Sequence, residues 1–188
     1  LLSGTGSVVT EHVDVSKAVT IGSLVLADGA NGGKASNYTL TGGTHALTVT
    51  AAPITIGTTN VVKTYDANNS ALGSATLLAG SLFTDDSIGG GTFGFTDVNT
   101  GTTNRTVTVS GVTVTDGNSG ANYDVTYTAN STSTINPYVL NLSGTRVYDG
   151  TKNALASDLS AASFVETETV LLSGTGSVVT EHVDVSKA

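Results

Sequence analysis

Residues 105–117 read RTVTVSGVTVTDG, and this stretch decides the fold class. Its apolar residues alternate with polar ones: Val107 and Val109 precede a Ser-Gly break, and Val112 and Val114 follow it. A period of two is typical of β-strands that bury one face. The Asp-Gly pair that ends the stretch is a turn signal. The stretch therefore predicts strands with one face in a core, followed by a tight turn.

The same pattern extends outward in both directions. Alternating stretches occupy residues 18–29, 45–56 and 123–137, and clusters of Gly, Asn, Asp and Ser separate them. This arrangement predicts an all-β protein with small sandwich-like modules, each built from about six to eight short strands. Residues 154–164, ALASDLSAASF, could form one or two helical turns. An immunoglobulin-like and a β-grasp-like arrangement therefore both stay open.

Composition excludes several classes of function. The formal net charge is −8, with 7 Lys and Arg against 15 Asp and Glu. A surface of this sign repels phosphate backbones and anionic lipid headgroups, so we expect no nucleic-acid partner and no membrane insertion. Only 38% of residues are hydrophobic and Trp is absent, which favours small cores over an enzyme core with a deep pocket. We therefore expect no enzymatic activity and no cofactor.

The chain begins and ends with the same eighteen residues. LLSGTGSVVTEHVDVSKA occupies residues 1–18 and again residues 171–188, so that Leu171 repeats Leu1. A fixed period is the signature of a repeat array. We interpret the interval from Leu1 to Leu171 as one period of a longer array, of which this chain is a window.

A shorter repeat lies inside the long one, and its length is marked by the two prolines, Pro53 and Pro137. Two further landmarks recur at nearly the same spacing: Tyr65-Asp66-Ala67 with Tyr148-Asp149-Gly150, and Asn37-Tyr38 with Asn122-Tyr123. The predicted domains are the C-terminal part of one module (residues 1–53), a complete module (residues 54–137) and the N-terminal part of the next (residues 138–188).

These landmarks resemble the YDG and MBG repeat domains of large bacterial surface and secreted proteins, including filamentous-haemagglutinin-like adhesins. The resemblance rests on the Tyr-Asp-Gly copies, the Asn-Tyr pairs and the proline that follows the last strand. It implies tandem β-modules in an elongated extracellular array on the bacterial surface, each of about 85 residues, which is the size of a small domain. It implies no catalytic residues.

The landmark residues also have a physical interpretation. A tyrosine before Asp-Gly at a strand end would place its ring at the edge of the core, and the aspartate would accept hydrogen bonds from amides of its own turn. We therefore predict that Tyr38, Tyr65, Tyr123 and Tyr148 are core anchors. Ala67 stands where the other copy has Gly150, so we predict that this turn needs no left-handed glycine.

Candidate chemical sites are few. Asp85, Asp86 and Asp97 form the densest acidic group, and Ca²⁺, which takes six to eight oxygen ligands, is the only metal they suggest. His12 with Asp14, repeated as His182 with Asp184, could supply part of a metal site, but solvated residues on an outer strand face are the simpler interpretation. GGGTFG at residues 89–94 fits a dinucleotide fingerprint only if a helix follows, and the next residues, FTDVNTGT, predict strand and turn. Lys63, Lys152, Lys17 and Lys34 are candidates for Lys–Asn isopeptide bonds, which would also need a buried carboxylate.

Three functions fit this picture. The first is a structural stalk or fibre repeat of a large extracellular adhesin, which bears load and projects a distal binding region. The second is a filament subunit whose incomplete ends complement each other head to tail by β-strand addition. The third is an adhesin module that binds glycans or matrix proteins. In each case we expect neighbouring copies of the same repeat, covalent or head-to-tail, as partners. Surface ligands of a host or of a biofilm are the second class of partner that these functions imply.

Overall fold

The computed structural model describes residues 1–83 and 85–183, and this part of the chain is all-β, as predicted. Its elements, apart from two three-residue 3-10 turns at Ala35–Asn37 and Ala156–Asp158, are strands: β1 (Leu2–Ser3), β2 (Asp14–Ala18), β3 (Val25–Leu26), β4 (Ala46–Val49), β5 (Ala52–Thr58), β6 (Val62–Thr64), β7 (Ala75–Ala79), β8 (Ser87–Phe95), β9 (Gly101–Thr115), β10 (Tyr123–Tyr127), β11 (Asn130–Asn136), β12 (Leu142–Gly144), β13 (Asn153–Leu155), β14 (Leu159–Ala161) and β15 (Thr175–Ser177). The helical turns expected in residues 154–164 reduce to the second 3-10 turn, after which the chain is again extended.

The chain divides into two compact units, each built from several chain segments. The first unit comprises Leu1–Thr59, Gly73–Phe93 and Thr108–Ala129. The second comprises Asn60–Leu72, Gly94–Val107 and Asn130–Ala188. Strands β8 and β9 therefore each have residues in both units.

The first unit contains a three-stranded sheet of order β10-β5-β7. Strand β10 is parallel to β5, in a register that runs from Tyr123 opposite Ala52 to Tyr127 opposite Ile56. Strand β7 is antiparallel to the other edge of β5. The inward residues of the sheet pack against β9 in one core cluster: Ile54, Ile56, Val109, Val112, Val114 and Tyr123. Three of the alternating valines of residues 105–117, Val109, Val112 and Val114, thus lie in this core.

The second unit contains a four-stranded sheet of order β6-β11-β9-β8. Strand β11 is parallel to β6, with Thr134 opposite Val62, and antiparallel to β9. Its most buried residues are Val61, Phe95, Val107, Ser133 and Ile135. The Ser133 hydroxyl lies inside this core because it accepts a hydrogen bond from Val61 N–H at 3.0 Å.

The remaining segments form only short two-stranded sheets. In the first unit, β1 pairs with β3 and β2 with β4; in the second, β12 pairs with β14 and β13 with β15. Among the described residues, none in 1–53 or 136–183 is buried. The cores therefore lie inside the segment predicted as a complete module.

The tyrosine prediction is correct for Tyr123 and wrong for two of its equivalents. Tyr123 is 6% exposed and Tyr65 is partly buried, whereas Tyr38 is 71% and Tyr148 is 59% exposed. The physical reason is that the short sheets around Tyr38 and Tyr148 enclose no core that could receive a ring. The two Asn-Tyr pairs also differ in local structure, since Tyr123 begins strand β10 whereas Tyr38 follows a 3-10 turn.

Candidate functional site

The first Tyr-Asp turn is closed by a lysine that precedes it. Lys63 Nζ lies 2.6 Å from Asp66 Oδ1 and donates a hydrogen bond of 2.6 Å to the Asn68 carbonyl. Asp66 Oδ1 also accepts the Asn68 N–H at 3.2 Å, as predicted for an aspartate in its own turn. Lys63 is 5.5 Å from the centre of the Phe95 ring, which places its cation against an aromatic face. The lysine thus links the Asp66 carboxylate and the Asn68 carbonyl of the turn to the edge of the core.

The second Tyr-Asp turn has the same contacts with a different cation. Arg146 forms an ion pair with Asp149 and donates a hydrogen bond of 2.5 Å to the Thr151 carbonyl. Asp149 Oδ1 accepts the Thr151 N–H at 2.9 Å. The cation lies three residues before the aspartate in both copies, and this ion pair was not predicted from the sequence. The signal was there, since KTYD and RVYD align without a gap.

These contacts also lower the pKa of both aspartates. The hydrogen bond from Lys63 is the main cause for Asp66, and the Thr151 N–H is the main cause for Asp149. Because arginine occupies the lysine position in the second copy, the shared role of the position is an ion pair. An isopeptide bond from Lys63 would not have a counterpart there.

The prediction concerned a left-handed glycine, and the first turn instead holds a left-handed alanine. Ala67 has a φ of +59°, and Gly150 at the equivalent place has a φ of +74°. Both turns need the left-handed conformation because the amide two residues after the aspartate has to face back toward its carboxylate. In an alanine this conformation brings Cβ close to the carbonyl oxygen, which costs about 1–2 kcal/mol. The first copy therefore carries backbone strain that the second copy avoids.

We expect Ala67→Gly to stabilise the protein by about 0.5–1 kcal/mol, because relief of the left-handed strain exceeds the added entropy of the unfolded chain. Urea denaturation at pH 7 measures the change. The reciprocal variant Gly150→Ala is the matched control and should change stability in the opposite direction. A loss of stability in Ala67→Gly would contradict this account of the turn.

A second polar cluster in the first unit is built around Asp116 and Asn122. Asp116 is 7% exposed and accepts the N–H groups of Asn118, Gly120 and Asn122 at 2.8, 2.7 and 2.9 Å. Burial by itself would raise the pKa of this carboxyl, but the three amides outweigh burial and hold it below its ordinary value. The loop of residues 116–122 is therefore organised by one ionised carboxylate.

Asn122 connects the loop of residues 116–122 to the N-terminal segment of the same unit. Its Oδ1 accepts the Val13 N–H at 3.0 Å, and its Nδ2 lies 3.0 Å from His12 Nδ1. Its carbonyl accepts the Ala52 N–H at 2.9 Å, at the start of the parallel ladder. The asparagine of the Asn-Tyr pair thus has a structural role, whereas Asn37 in the other copy ends a 3-10 turn.

We expect stability to fall with pH below about 4, because the folded pKa of Asp66, Asp97, Asp116 and Asp149 lies below the value of about 3.9 for an unfolded aspartate. The unfolded chain then binds more protons, so the stabilisation present above pH 4 is lost as pH falls through the folded pKa values. Urea midpoints between pH 2 and 7 measure this. Asp116→Asn should have a shallower pH dependence, and an unchanged slope would contradict the assignment to Asp116.

The acidic calcium candidates are not assembled into a metal site. Asp86 accepts a hydrogen bond from the Tyr123 hydroxyl, and Asp97 accepts the Asn99 N–H at 2.9 Å and forms an ion pair with Arg105. Asp85 lies in a turn with a φ of +68°. Within residues 1–83 and 85–183, no group of three or more His, Asp or Glu side chains is placed to hold a metal ion.

The structure also gives the positions of the remaining sequence motifs. GGGTFG lies within strand β8, without a following helix, as its context predicts. Asp14 begins β2 while His12 precedes the strand, and Asp184 lies outside the described residues. Pro53 lies in β5 opposite Asp124, and Pro137 directly follows β11. No helix of the described residues is long and apolar enough to cross a membrane.

Comparison with known protein families gives one match: the YDG domain corresponds to residues 50–134. This segment is therefore of the YDG type, and it overlaps the predicted complete module of residues 54–137, whose bounds stay a prediction. Searches of curated proteins and of solved structures gave no significant match.

Proposed function

We propose that this chain, in which residues 50–134 are a YDG-type domain, is a load-bearing repeat of a stalk or fibre in a large extracellular bacterial adhesin. The extracellular location and the adhesin context come from the resemblance described above and agree with the absence of cysteine. Each module of about 85 residues would add roughly 30–40 Å to the array, the size of a compact domain of that length. The main support for this role is the way in which the first strands of the module pair with its last strands.

The two ends of the YDG-type domain form parallel pairs. In the first unit, β5 and β10 are joined over five residue pairs, and backbone hydrogen bonds of 2.9 Å at both ends bracket the ladder: Ala52 N–H to Asn122 O and Thr128 N–H to Ile56 O. In the second unit, β6 and β11 are bracketed in the same way by Thr134 N–H to Val61 O and Tyr65 N–H to Asn136 O. Both pairs thus join a strand at the start of the domain to a strand at its end.

Parallel pairing determines how such a ladder responds to tension. The chain enters at the start of β5 and leaves beyond the end of β11, so tension pulls paired parallel strands in opposite directions along their axes. Sliding the strands requires several hydrogen bonds to break together. An antiparallel terminal pair would be pulled apart at one edge, and its bonds would break one after another. The observed topology is therefore suited to bear load, which is the observation that carries the proposal.

Single-molecule pulling on the full chain tests the proposal. Because the chain has no cysteine, two introduced cysteines define the handles. Pro53→Cys with Ala129→Cys pulls β5 against β10 along the strands, and Pro53→Cys with Asp124→Cys pulls an opposed pair directly apart. We expect a clearly higher rupture force for the first pair of handles. Equal forces would contradict a load-bearing role for this ladder.

A separate measurement tests whether consecutive modules form an elongated array. Small-angle scattering from a protein of four consecutive modules should give the profile of a rod, with a length that grows by a constant increment for each added module. A compact particle would contradict the stalk even if the isolated ladder resists force.

A further inference from the structure

A loop in the segment before the YDG-type domain, residues 10–13, contacts the domain. The loop is held in shape by Lys17, which lies in β2. Lys17 Nζ donates hydrogen bonds to the Thr10 carbonyl at 2.8 Å, to the Thr10 hydroxyl at 2.9 Å, and to the His12 carbonyl. Because three oxygen atoms surround one ammonium group, the backbone of loop 10–13 is fixed before it meets the domain.

Loop 10–13 meets loop 116–122, whose amides are gathered around one ionised carboxylate. Asn122 Oδ1 accepts the Val13 N–H at 3.0 Å, and Asn122 Nδ2 lies 3.0 Å from His12 Nδ1. The His12 ring also lies against Gly117, where an added β-carbon would be 3.6 Å from the ring Cε1. All of these residues belong to the first unit. Two loops, each stabilised by one charged side chain, are therefore in contact.

The contacts of Asn122 determine which way its side-chain amide points. Its oxygen accepts hydrogen bonds from two donors, the Val13 N–H at 3.0 Å and Asn118 Nδ2 at 2.9 Å. Its nitrogen lies 3.3 Å from the Asp116 carbonyl oxygen, which can only accept. Exchanging the oxygen and the nitrogen would set donor against donor twice and acceptor against acceptor once. Asn122 Nδ2 is therefore the donor toward His12.

His12 Nδ1 is the acceptor in this contact, so the His12 ring is neutral and carries its hydrogen on Nε2. Protonation would add a hydrogen to Nδ1 and set N–H against N–H between two atoms that lie 3.0 Å apart. The His12 side chain is only 29% exposed, which limits replacement of the lost hydrogen bond by water. Imidazole gains its charge in the range of about pH 8 to 5. Because the contact excludes a proton, acidification opens it.

The charged groups near His12 do not provide an alternative partner for a protonated Nδ1. Glu11 Oε1 lies 4.0 Å from the other ring nitrogen, and the Glu11 side chain is 87% exposed, so solvent screens its attraction for an imidazolium. Lys17 brings a positive charge to the His12 carbonyl, and Asp14 accepts an amide of its own strand. The Asp116 carboxylate is occupied by three amides of its own loop. Among the described residues, none of these groups accepts a hydrogen bond from His12 Nδ1.

We propose that loop 10–13 and loop 116–122 form a pH-sensitive joint between the YDG-type domain and the segment before it. The joint is closed while His12 is neutral and opens when the His12 ring takes up a proton. The partner of this surface of the domain is the preceding part of the same polypeptide. The inference concerns the joint and does not depend on the load-bearing role.

Amide exchange of Val13 in the full chain, followed by NMR, tests the proposal because this N–H is bonded to Asn122 Oδ1. The rate is expressed as protection relative to an unstructured chain at the same pH. We expect protection to fall by at least about tenfold between about pH 7.5 and about pH 5, the effect of one lost hydrogen bond. The Thr128 N–H, which bonds to the Ile56 carbonyl in the same unit, should stay equally protected at both pH values.

Two substitutions of His12 separate a pH-sensitive joint from a purely structural contact. His12→Asn places an amide oxygen near the position of Nδ1 without a titratable ring, so Val13 protection should vary by less than about twofold between the two pH values. His12→Ala removes the contact and should lower protection by about tenfold or more at the higher pH. His45→Gln is the control, because His45 Nε2 lies 2.8 Å from the Leu40 carbonyl, which accepts from a neutral or a protonated ring alike. This variant should keep the pH response of the parent.

Any of four results would overturn the proposal. The first is a parent chain in which Val13 is equally protected at both pH values, and the second is a His12→Asn variant that responds to pH as the parent does. The third is a His12→Ala variant that leaves Val13 as protected as before. The fourth is a loss of Thr128 protection at the lower pH, because the change would then not be confined to the joint.

Discussion

Replacing Ile56 with alanine is expected to lower the free energy of unfolding by about 3–4 kcal/mol. Ile56 is 0% exposed and belongs to the core cluster of the first unit, where it is the central strand's innermost side chain. Truncation removes three buried carbon atoms and leaves a cavity that the two neighbouring strands of β5 can fill only by distorting their ladders. Urea denaturation monitored by circular dichroism measures the loss.

The matched control for this prediction is Leu72→Ala. Leu72 is 100% exposed, so its truncation should change the free energy of unfolding by less than about 0.5 kcal/mol. If Ile56→Ala were as mild as the control, the core around β5 would not contribute to stability as its burial implies. A lowered midpoint with an unchanged denaturant slope would show that the loss is one of stability alone.

Replacing Tyr123 with phenylalanine is expected to cost about 1.5–3 kcal/mol, although the ring and its packing stay. The Tyr123 hydroxyl accepts the Phe83 N–H at 2.9 Å and donates to Asp86 Oδ2 at 2.5 Å. Its ring also stacks on Phe83, with centroids 6.2 Å apart. Burial of the phenol is the main reason that its pKa is raised, followed by the hydrogen bond to Asp86. The variant leaves an amide and a carboxylate without this partner.

Tyr138→Phe provides the control for the hydroxyl. Tyr138 is 41% exposed, and its hydroxyl lies 3.4 Å from Ser163 Oγ, so its removal should cost less than about 0.5 kcal/mol. Both variants are compared with the parent by urea denaturation at pH 7. A Tyr123→Phe variant as stable as the parent would show that water replaces both hydrogen bonds at no cost.

The strands and the buried valines could be predicted from sequence because they depend on local alternation. Val107 and Val109 before the Ser110-Gly111 break, and Val112 and Val114 after it, are buried at alternating positions of β9, as a period of two predicts on each side of the break. The position of the core inside residues 54–137 agrees with the repeat landmarks. The strands and buried valines depend on single stretches of the chain, and the position of the core follows from the constant spacing between the repeat landmarks.

The parallel pairs and the exposed tyrosines could not be predicted in this way. The partner of Val61 is Ser133, 72 residues away, and no local pattern specifies such a pair. Tyr38 and Tyr123 have the same preceding residue, yet only Tyr123 has a strand beside it to complete a pocket. The left-handed Ala67 was missed because a residue type was taken as evidence of conformation, whereas the contacts of Asp66 and Lys63 determine the turn.

The parallel pairing of β5 with β10 and of β6 with β11 also determines the order in which the domain can fold. Strands β5 and β6 lie at the start of the domain, while β10 and β11 are its last strands. Contacts between such distant residues are slow to form, because a long loop has to close before they stabilise anything. A chain that emerges N-terminus first, from a ribosome or a secretion channel, therefore keeps its first two strands unpaired on these edges until nearly the whole domain has emerged. Parallel pairing between the first and the last strands thus keeps the nascent domain open until its C-terminal strands have emerged.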